Sequence, residues 1–342
     1  MPTLIYEERP GEIRTAWLVD GAPRSLLFRR AHWPAAGDVH LARVLGHAPD
    51  GSGAFVLLRA DGLTGFLKRR ARMPLPPEGQ QLCVRVEAFD PLAGDKAARV
   101  RADMHLCGRY VMVKKPGGGI DCTELQEEGE GALAAGLRSL LDPLAGECGI
   151  RIRRPAAHVA PEVVLAEAQR LTARIEEITE KAKTAEVGRL HRPSALLAAL
   201  AEGPPGPVRL AMDVVGAAAP EAALLRKGYP DVHVVGREAG LSFTAAGLDD
   251  WLETVAAGSC ALPGGGALRF APAPTGLVVD VDSGGRPARG DRTRLLQALG
   301  EEAADCLART AAALRMQGLV LVDLPVRAGD SAMRHHLARR WR

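Results

Sequence analysis

The stretch from residue 37 to residue 70, GDVHLARVLGHAPDGSGAFVLLRADGLTGFLKRR, decides the architecture of the first half of the chain. Short apolar runs are separated by Gly-Ser-Gly and Asp-Gly turns, and the run GQQLCVRVEAFDPLAGDKAARVRADM at 79–104 continues this pattern. The spacing of the turns suits about five short strands. We therefore predict an OB-like β-barrel at about 37–103.

Two aromatic residues, Phe55 and Phe66, lie on adjacent predicted strands of this barrel, and Lys68, Arg69 and Arg70 follow at once. Aromatic side chains beside a cationic run are the means by which an OB barrel stacks and holds single-stranded nucleic acid. Aromatic residues make up only 4% of the chain, so this pair favours an RNA-facing role. The alternative is that both phenylalanines belong to the barrel core.

Length and composition limit the kinds of protein to which the chain can belong. The 342 residues, 47% hydrophobic and 25% charged, suffice for two or three domains with buried cores. No run of about 18 apolar residues is present, and the acids near the N-terminus do not suit a signal peptide. Six cysteines without a Cys-x-x-Cys pair favour reduced thiols over a zinc site or a disulfide framework. We expect a cytoplasmic protein with no membrane association.

The net charge of +3 is modest, but basic residues occur in clusters, among them FLKRRAR at 66–72, RIRRP at 151–155 and RHHLARRWR at 334–342. Such clusters either contact phosphates or form solvated faces. In a strand, Arg151 and Arg153 share one side, which fits an anion pocket and a salt-bridged strand edge equally well.

The remaining segments predict a mixed α/β structure. Residues 1–33 indicate a small β meander, and helices are expected at 160–186 and 291–318, the second ending at a glycine. From residue 193 onward, strands alternate with helices, which predicts a sheet with helices packed on it.

Two predicted strands, GLVVDVD at 276–282 and GLVLVD at 318–323, both carry aspartates at their ends. A strand-helix-strand crossover would make them parallel neighbours, so Asp280 and Asp323 could converge on one ion, with Asp282 on the same face. Carboxylates suit Mg²⁺ or Mn²⁺, which can activate a water for attack on a phosphodiester. The alternative is that these aspartates cap turns.

Several of these runs occur in an order that resembles the RNase E/G family of bacterial endoribonucleases. The motifs on which the resemblance rests are LPGGGALRF, TGLVVDVDSGG, EEAADCLAR and QGLVLVDLPV in the second half of the chain, and IRTAWLVDG, EGQQLCVRVEAF, LCGRYVMV and GIRIRR in the first half. The resemblance extends from about residue 3 to 327. It implies a short family member that cuts single-stranded RNA with Mg²⁺ and leaves a 5′-phosphate and a 3′-hydroxyl.

The resemblance also implies an α/β, α+β multidomain fold in which an OB-fold barrel is inserted into an RNase H-like subdomain. The implied parts are an RNase H-like part at 1–35, an OB-fold of the ribosomal S-one type at 36–103, a 5′-sensor region at 104–190, a second RNase H-like part at 191–262 and a DNase I-like catalytic region at 263–342.

The family's functional residues match positions of this sequence. The metal-binding aspartates match Asp280 and Asp323, and the aromatics that hold RNA match Phe55 and Phe66. The arginine that binds a 5′-monophosphate matches Arg153. Further expected contacts are Gly118, Gly119 and Arg154 near the 5′ end, Asp282 at the metal, and Lys68, Arg69, Arg70, Arg286 and Arg289 along the RNA backbone.

The chain departs from the family at several positions. Asp282 replaces an asparagine and adds negative charge beside the metal. Arg154 replaces a threonine, and Ala273-Pro274 replaces Thr-Glu, so the following strand should begin late because proline lacks a ladder donor. The zinc link of longer members is not present after Asp323, so we expect no zinc and no zinc-linked tetramer, but a monomer or dimer.

The sequence thus predicts a metal-dependent endoribonuclease with single-stranded RNA as partner. The alternative is a non-catalytic RNA-binding paralogue of the same family, in which the barrel grips RNA but the altered neighbourhood of the aspartates no longer cuts it.

Overall fold

A computed structural model describes residues 1–70, 74–89, 97–214, 225, 228–235, 242–273, 276–285, 292–316, 318–324, 331 and 335. The strands are β1 (Thr3–Arg9), β2 (Glu12–Val19), β3 (Ala22–Arg30), β4 (Val39–His47), β5 (Gly53–Leu57), β6 (Thr64–Lys68), β7 (Gln81–Ala88), β8 (Ala98–Arg101), β9 (Met104–Cys107), β10 (Val111–Lys115), β11 (Ile120–Asp121), β12 (Gly149–Ile152), β13 (Gly188–His191), β14 (Val208–Val214), β15 (Val232–Val235), β16 (Ser259–Ala261), β17 (Ala267–Ala273), β18 (Gly276–Asp282) and β19 (Leu319–Asp323). The helices are α1 (Thr123–Glu127), α2 (Gly131–Leu141), α3 (Pro161–Ala182), α4 (Ala195–Ala201), α5 (Leu248–Ala256) and α6 (Arg292–Ala313).

The predicted barrel is confirmed. Strands β4, β5, β6, β8 and β7 pair in this order, and pairing between β4 and β7 closes the sheet. Strands β6 and β8 are parallel, whereas the other barrel pairs are antiparallel. The result is a closed five-stranded barrel with an OB-like topology. Its core consists of alternate strand residues, such as Val44, Val56 and Val100, each at most 2% exposed.

The N-terminal meander forms part of a larger sheet. Strands β1, β2 and β3 are antiparallel, and β14 and β15 extend the sheet in parallel from β1. Helix α4 packs on one face, where the indole of Trp17 donates a hydrogen bond to the carbonyl of Ala199 at 2.9 Å. The other face forms a separate apolar cluster with Phe243, Leu248 and Ala313. Helices therefore cover both faces, as the α/β alternation predicts.

Strands β11, β12, β10 and β9 form a third sheet, and the long helix α3 packs on β9 and β10. Helix α3 begins at Pro161, a residue suited to the first turn of a helix, as predicted. Its apolar stripe, which includes Val164, Ala168 and Ile175, joins the large core that the third sheet shares with the N-terminal sheet.

One buried carboxylate connects these layers. Glu167, on α3, accepts hydrogen bonds from the backbone N–H groups of Arg109, Tyr110 and Val111 at 3.1, 2.6 and 3.0 Å. The hydroxyl of Tyr229 donates to it as well, at 2.9 Å. Glu167 is only 2% exposed, so these donors replace the water that an ionised carboxylate needs.

The backbone at residue 108 packs so closely against the carboxylate of Glu167 that no side chain fits there. A Cβ at Gly108 would lie 2.3 Å from the carboxyl carbon of Glu167. Next to it, the guanidinium of Arg109 donates to Asp231 at 2.8 Å and to the carbonyl of Gly206 at 2.6 Å. The same few residues therefore connect α3, the third sheet and the turn that leads into β15.

The last sheet has the order β16, β17, β18 and β19, and α6 covers one of its faces. Val279 and Val281 of β18 pack with Leu299 and Ala303 of α6. The predicted end of this helix at a glycine is wrong. The helix ends at Ala313, and Arg315 adopts a φ of 52° shortly after it. None of the helices in the described ranges combines the length and apolar character needed to cross a membrane.

We expect Glu167→Gln to lower the free energy of unfolding by about 2–4 kcal/mol, because it places an amide against buried backbone donors and removes a charge from their midst. Glu180→Gln is the matched control, since Glu180 lies on the same helix with a side chain 69% exposed and an ion pair to Lys183. That change should cost no more than about 0.5 kcal/mol. Urea denaturation measures both; equal losses would contradict the role given to Glu167.

Candidate nucleic-acid interface and carboxylate pair

The outer face of the barrel carries an exposed aromatic pair. Phe55 of β5 and Phe66 of β6 are direct cross-strand partners, with ring centroids 5.2 Å apart and planes inclined at 59°. Phe55 is 42% exposed and Phe66 is half-buried, whereas their neighbours Ala54 and Leu67 point into the barrel. The alternative in which both phenylalanines form the barrel core is therefore wrong.

A glycine allows the ring of Phe66 to lie against strand β5. A Cβ at Gly53 would lie 2.5 Å from Cζ of Phe66 and 2.5 Å from the carbonyl oxygen of Leu67. Any other residue would push the ring away from the strand, because backbone and ring atoms occupy the space of its side chain. Gly53 therefore fixes how the aromatic pair is presented to solvent.

The three cations after Phe66 have different surroundings. Lys68 is exposed on the same outer face, opposite Gly53. Arg69 is also exposed, and its backbone N–H donates to the carbonyl of Ser52 at 2.8 Å. Arg70 instead donates to Asp103 at 2.6 Å.

Two further arginines besides Arg70 contact Asp103. Its buried carboxylate accepts from Arg85 at 3.3 Å and from Arg101 at 3.2 Å. Although burial raises the pKa of Asp103, the neighbouring charges of Arg85 and Arg70 lower it overall. Arg70 is therefore a member of a structural ion-pair cluster as well as a predicted RNA contact.

Sequence reasoning missed one cation that lies beside the aromatic pair. Arg99 of β8 is the register partner of Phe66 and is exposed on the same outer face. Its place follows from the parallel pairing of β6 with β8, which no local pattern reveals. Leu45, 47% exposed at a bulge between β4 and β5, adds apolar surface on the other side of Phe55.

The two predicted strands near the C-terminal end of the chain are parallel neighbours, as expected. In the register of β18 and β19, Asp280 and Asp323 are direct partners, and both are exposed. Val279 and Val281 on either side of Asp280 face helix α6. The carboxylates therefore belong to the face of the sheet that is turned away from α6.

Asp282 lies on the same face, but its carboxylate contacts a turn and an arginine. One of its oxygens accepts the backbone N–H of Gly284 at 2.9 Å, which caps the turn after β18, and the other lies 3.6 Å from the guanidinium of Arg269. Arg269 is also the register partner of Asp280 on β17. Within the part of the chain that the structure describes, no group of three or more His, Cys, Asp or Glu side chains is placed to hold a metal.

Glycines allow two turns to pack together beside this end of the sheet. A Cβ at Gly266 would lie 2.3 Å from the carbonyl oxygen of Asp282, and one at Gly284 would lie 2.6 Å from the backbone of Gly266. The Leu-Pro-Gly-Gly-Gly turn thus contacts the Ser-Gly-Gly turn directly. Strand β18 begins at Gly276. Pro274, Arg286, Arg289 and most of the basic segment 334–342 lie outside the described residues.

A cavity of about 540 Å³ lies where the barrel, strand β9, helix α3 and helix α4 meet. Its ionisable lining residues are Arg85, His105, Cys107, Arg153, Arg170, Arg174, Glu177, His191 and Glu202. Burial lowers the pKa values of both His105 and His191 to about 4, so the two imidazoles are neutral at pH 7. The positive charge of this basic cavity therefore comes from its arginines.

Of the four residues predicted to sense a 5′-phosphate, only Arg153 lines the basic cavity. Its guanidinium donates to the carbonyl of Gly108 at 2.7 Å. Arg154 turns instead to the acids of α1, where its backbone N–H donates to Glu124 at 3.2 Å. Gly118 and Gly119 are exposed in the turn before β11 and do not line the cavity.

Arg151, in the RIRR run at 151–154, was expected either in an anion pocket or at a salt-bridged strand edge. It pairs with Asp121 across the β11–β12 register, at 2.8 Å, as expected for a salt-bridged strand edge. Arg153, two residues further on, lines the cavity. The salt-bridged strand edge is therefore observed at Arg151, whereas the anion pocket at Arg153 stays a prediction.

No protein-family model and no curated protein matches the chain. Among solved structures, the chain is similar to the crystal structure of a multidomain protein with nucleic acid binding domains from Streptococcus pneumoniae, with 17% identity and a TM-score of 0.20. The match covers 52% of this chain and 59% of that protein.

Proposed function

We propose that the protein is a metal-dependent endoribonuclease that cleaves single-stranded RNA. The observation that carries the proposal is the pairing of Asp280 with Asp323 in the register of two parallel strands, on the sheet face turned away from α6. On this view, the four-stranded sheet with α6 would correspond to the DNase I-like region, and the N-terminal sheet to the RNase H-like parts.

The carboxylate pair fits a hard divalent cation. Mg²⁺ binds proteins through one or two carboxylates and completes its octahedral shell with water and phosphate oxygens, and both aspartates are exposed to solvent. Mn²⁺ accepts the same ligands. When bound, such an ion would polarise the scissile phosphate and lower the pKa of an attacking water. Asp280 and Asp323 would hold it, and Arg269 would attract the RNA phosphate toward them.

The barrel would supply the grip on RNA. The exposed rings of Phe55 and Phe66 can stack on successive bases, and such stacking tolerates any sequence because every base has a π-face. Lys68, Arg69 and Arg99 would contact phosphates along this face. The basic cavity would receive a 5′-phosphate at Arg153, whose guanidinium donates to the carbonyl of Gly108, a group that does not neutralise its charge.

A second candidate is RNA binding without cleavage. It is favoured by Arg269, which lies opposite Asp280 and beside Asp282 and so places a positive charge where a metal ion would be repelled. The aromatic face of the barrel would serve this function equally well.

Phe55→Ala should weaken the binding of a single-stranded A/U-rich RNA by about 5- to 100-fold, since one stacked base contributes about 1–3 kcal/mol. Fluorescence anisotropy with EDTA measures binding apart from cleavage. Phe28→Ala is the control, because Phe28 is 43% exposed, as Phe55 is 42% exposed, but lies on β3 outside the barrel. Equal effects of the two changes would contradict the proposed RNA site.

Arg99→Gln should lower the affinity for RNA and reduce the slope of log affinity against log salt by about 1, the effect of losing one phosphate contact. Arg138→Gln removes an exposed arginine from helix α2 and should leave the slope as it is. A slope that stays constant in the Arg99 variant would exclude Arg99 from the RNA path.

Cleavage itself is tested with a 5′-monophosphorylated, fluorescently labelled A/U-rich RNA, in Mg²⁺ and in EDTA. We expect cutting only with Mg²⁺, and a loss of about 100-fold or more in Asp280→Asn and in Asp323→Asn. Asp282→Asn should retain cleavage within a few-fold, because an asparagine oxygen can still accept the N–H of Gly284.

Two outcomes would decide against the enzyme. RNA that is bound tightly but left uncut by the unaltered protein in Mg²⁺ would establish the second candidate instead. Cleavage that persists when both Asp280 and Asp323 are replaced would show that the carboxylate pair is not the site.

A further inference from the structure

Two cysteines face each other beneath the four-stranded sheet. Cys260, on β16, and Cys306, on α6, have Sγ atoms 3.1 Å apart, and each residue is only 5% exposed. The hydroxyl of Thr310 lies 3.8 Å from Cys260 Sγ. The other four cysteines are at 83, 107, 122 and 148, in other sheets and segments.

A surface cleft of about 280 Å³ leads to this pair. Both cysteines line it, together with Trp251, Thr254 and Arg309. A hydroperoxide as small as hydrogen peroxide can therefore reach the sulfur atoms although the residues themselves are largely buried. This cleft is lined by none of the residues assigned above to RNA or metal binding.

The two thiols have unequal proton affinities. A hydrogen bond from the Cys306 thiol lowers the pKa of Cys260, against the opposing effect of burial, and Thr310 and Arg309 act in the same direction. The same hydrogen bond and burial raise the pKa of Cys306. Loss of a proton from one sulfur is thus favoured while its neighbour keeps a proton to donate, which is the arrangement of an attacking and a resolving cysteine.

We propose that Cys260 and Cys306 form an oxidation-sensitive dithiol that hydroperoxides convert to an intramolecular disulfide. The Cys260 thiolate attacks the peroxide oxygen, the O–O bond breaks, and the released alkoxide or hydroxide takes up a proton to leave as alcohol or water. The resulting sulfenic acid is then attacked by the sulfur of Cys306, and water leaves as the S–S bond forms. Two thiols lose two electrons and two protons, and one hydroperoxide is reduced.

The bond requires only a small movement. A disulfide has an S–S length of about 2.05 Å, so the sulfur atoms must approach by about 1 Å from their separation of 3.1 Å. The product would tie strand β16 to helix α6 and close a chain segment that contains β17 and β18. Oxidation would therefore constrain the sheet that carries Asp280 without consuming any residue of the carboxylate pair.

The test treats the full-length reduced protein with increasing hydrogen peroxide, then alkylates it under denaturing conditions and maps the cysteines by mass spectrometry. We expect two fewer alkyl groups than on the untreated protein, a peptide pair joined through residues 260 and 306, and reversal by dithiothreitol. The reaction should be about tenfold faster than oxidation of Cys107, because the hydrogen bond from Cys306 lowers the pKa of Cys260, whereas desolvation raises the pKa of the Cys107 thiol.

Two variants keep the proposal falsifiable. Cys306→Ser should leave the sulfenic acid of Cys260 unresolved, so that dimedone labels residue 260, whereas Cys107→Ser should form the 260–306 disulfide at the rate of the unaltered protein. The proposal is overturned if Cys260 and Cys306 remain alkylated at peroxide concentrations that oxidise Cys107, or if the disulfide that forms joins a different pair.

Discussion

The buried carboxylate of Glu167 is the interaction that holds helix α3, the third sheet and the turn before β15 together. It satisfies three consecutive backbone N–H groups at 109–111 and a tyrosine hydroxyl, and Arg109 beside it satisfies Asp231. Charged groups so deeply buried are stable only when each has its partners, so these elements must assemble together. Their junction also forms walls of the basic cavity, since Arg153 bonds to Gly108 and Arg170 to Glu167.

The sequence predicted those features that local patterns determine. Short apolar runs separated by regular turns predicted the barrel, and the position of Phe55 and Phe66 beside a basic run favoured the outward direction that the structure shows. The crossover of β18, α6 and β19 gave the partnership of Asp280 and Asp323, because such connections make parallel neighbours. For the barrel and for the pairing of Asp280 with Asp323, a periodic pattern and one rule of chain topology are enough to make the prediction.

The features that escaped prediction depend on contacts between distant segments. Arg99 lies beside Phe66 only because β8 pairs with β6, and Arg70 meets Asp103 across 33 residues of chain. In the sequence, nothing distinguishes Glu167 from the other acidic residues of helix α3, which are exposed. Asp282 contacts a turn, which was the alternative left open for the aspartates, and lies near Arg269, which no local pattern indicated. Which partner a charged side chain finds is decided by the packing of whole elements.

The proposed chemistry requires that one divalent ion bind between two strands. The most direct measurement is anomalous diffraction from crystals grown with Mn²⁺ and an uncleavable single-stranded RNA. We expect one anomalous peak with an oxygen of Asp280 and an oxygen of Asp323 among its ligands, and a phosphate oxygen of the RNA completing the shell. RNA seated on Phe55 and Phe66 with no ion at the carboxylate pair, or an ion held elsewhere, would contradict it.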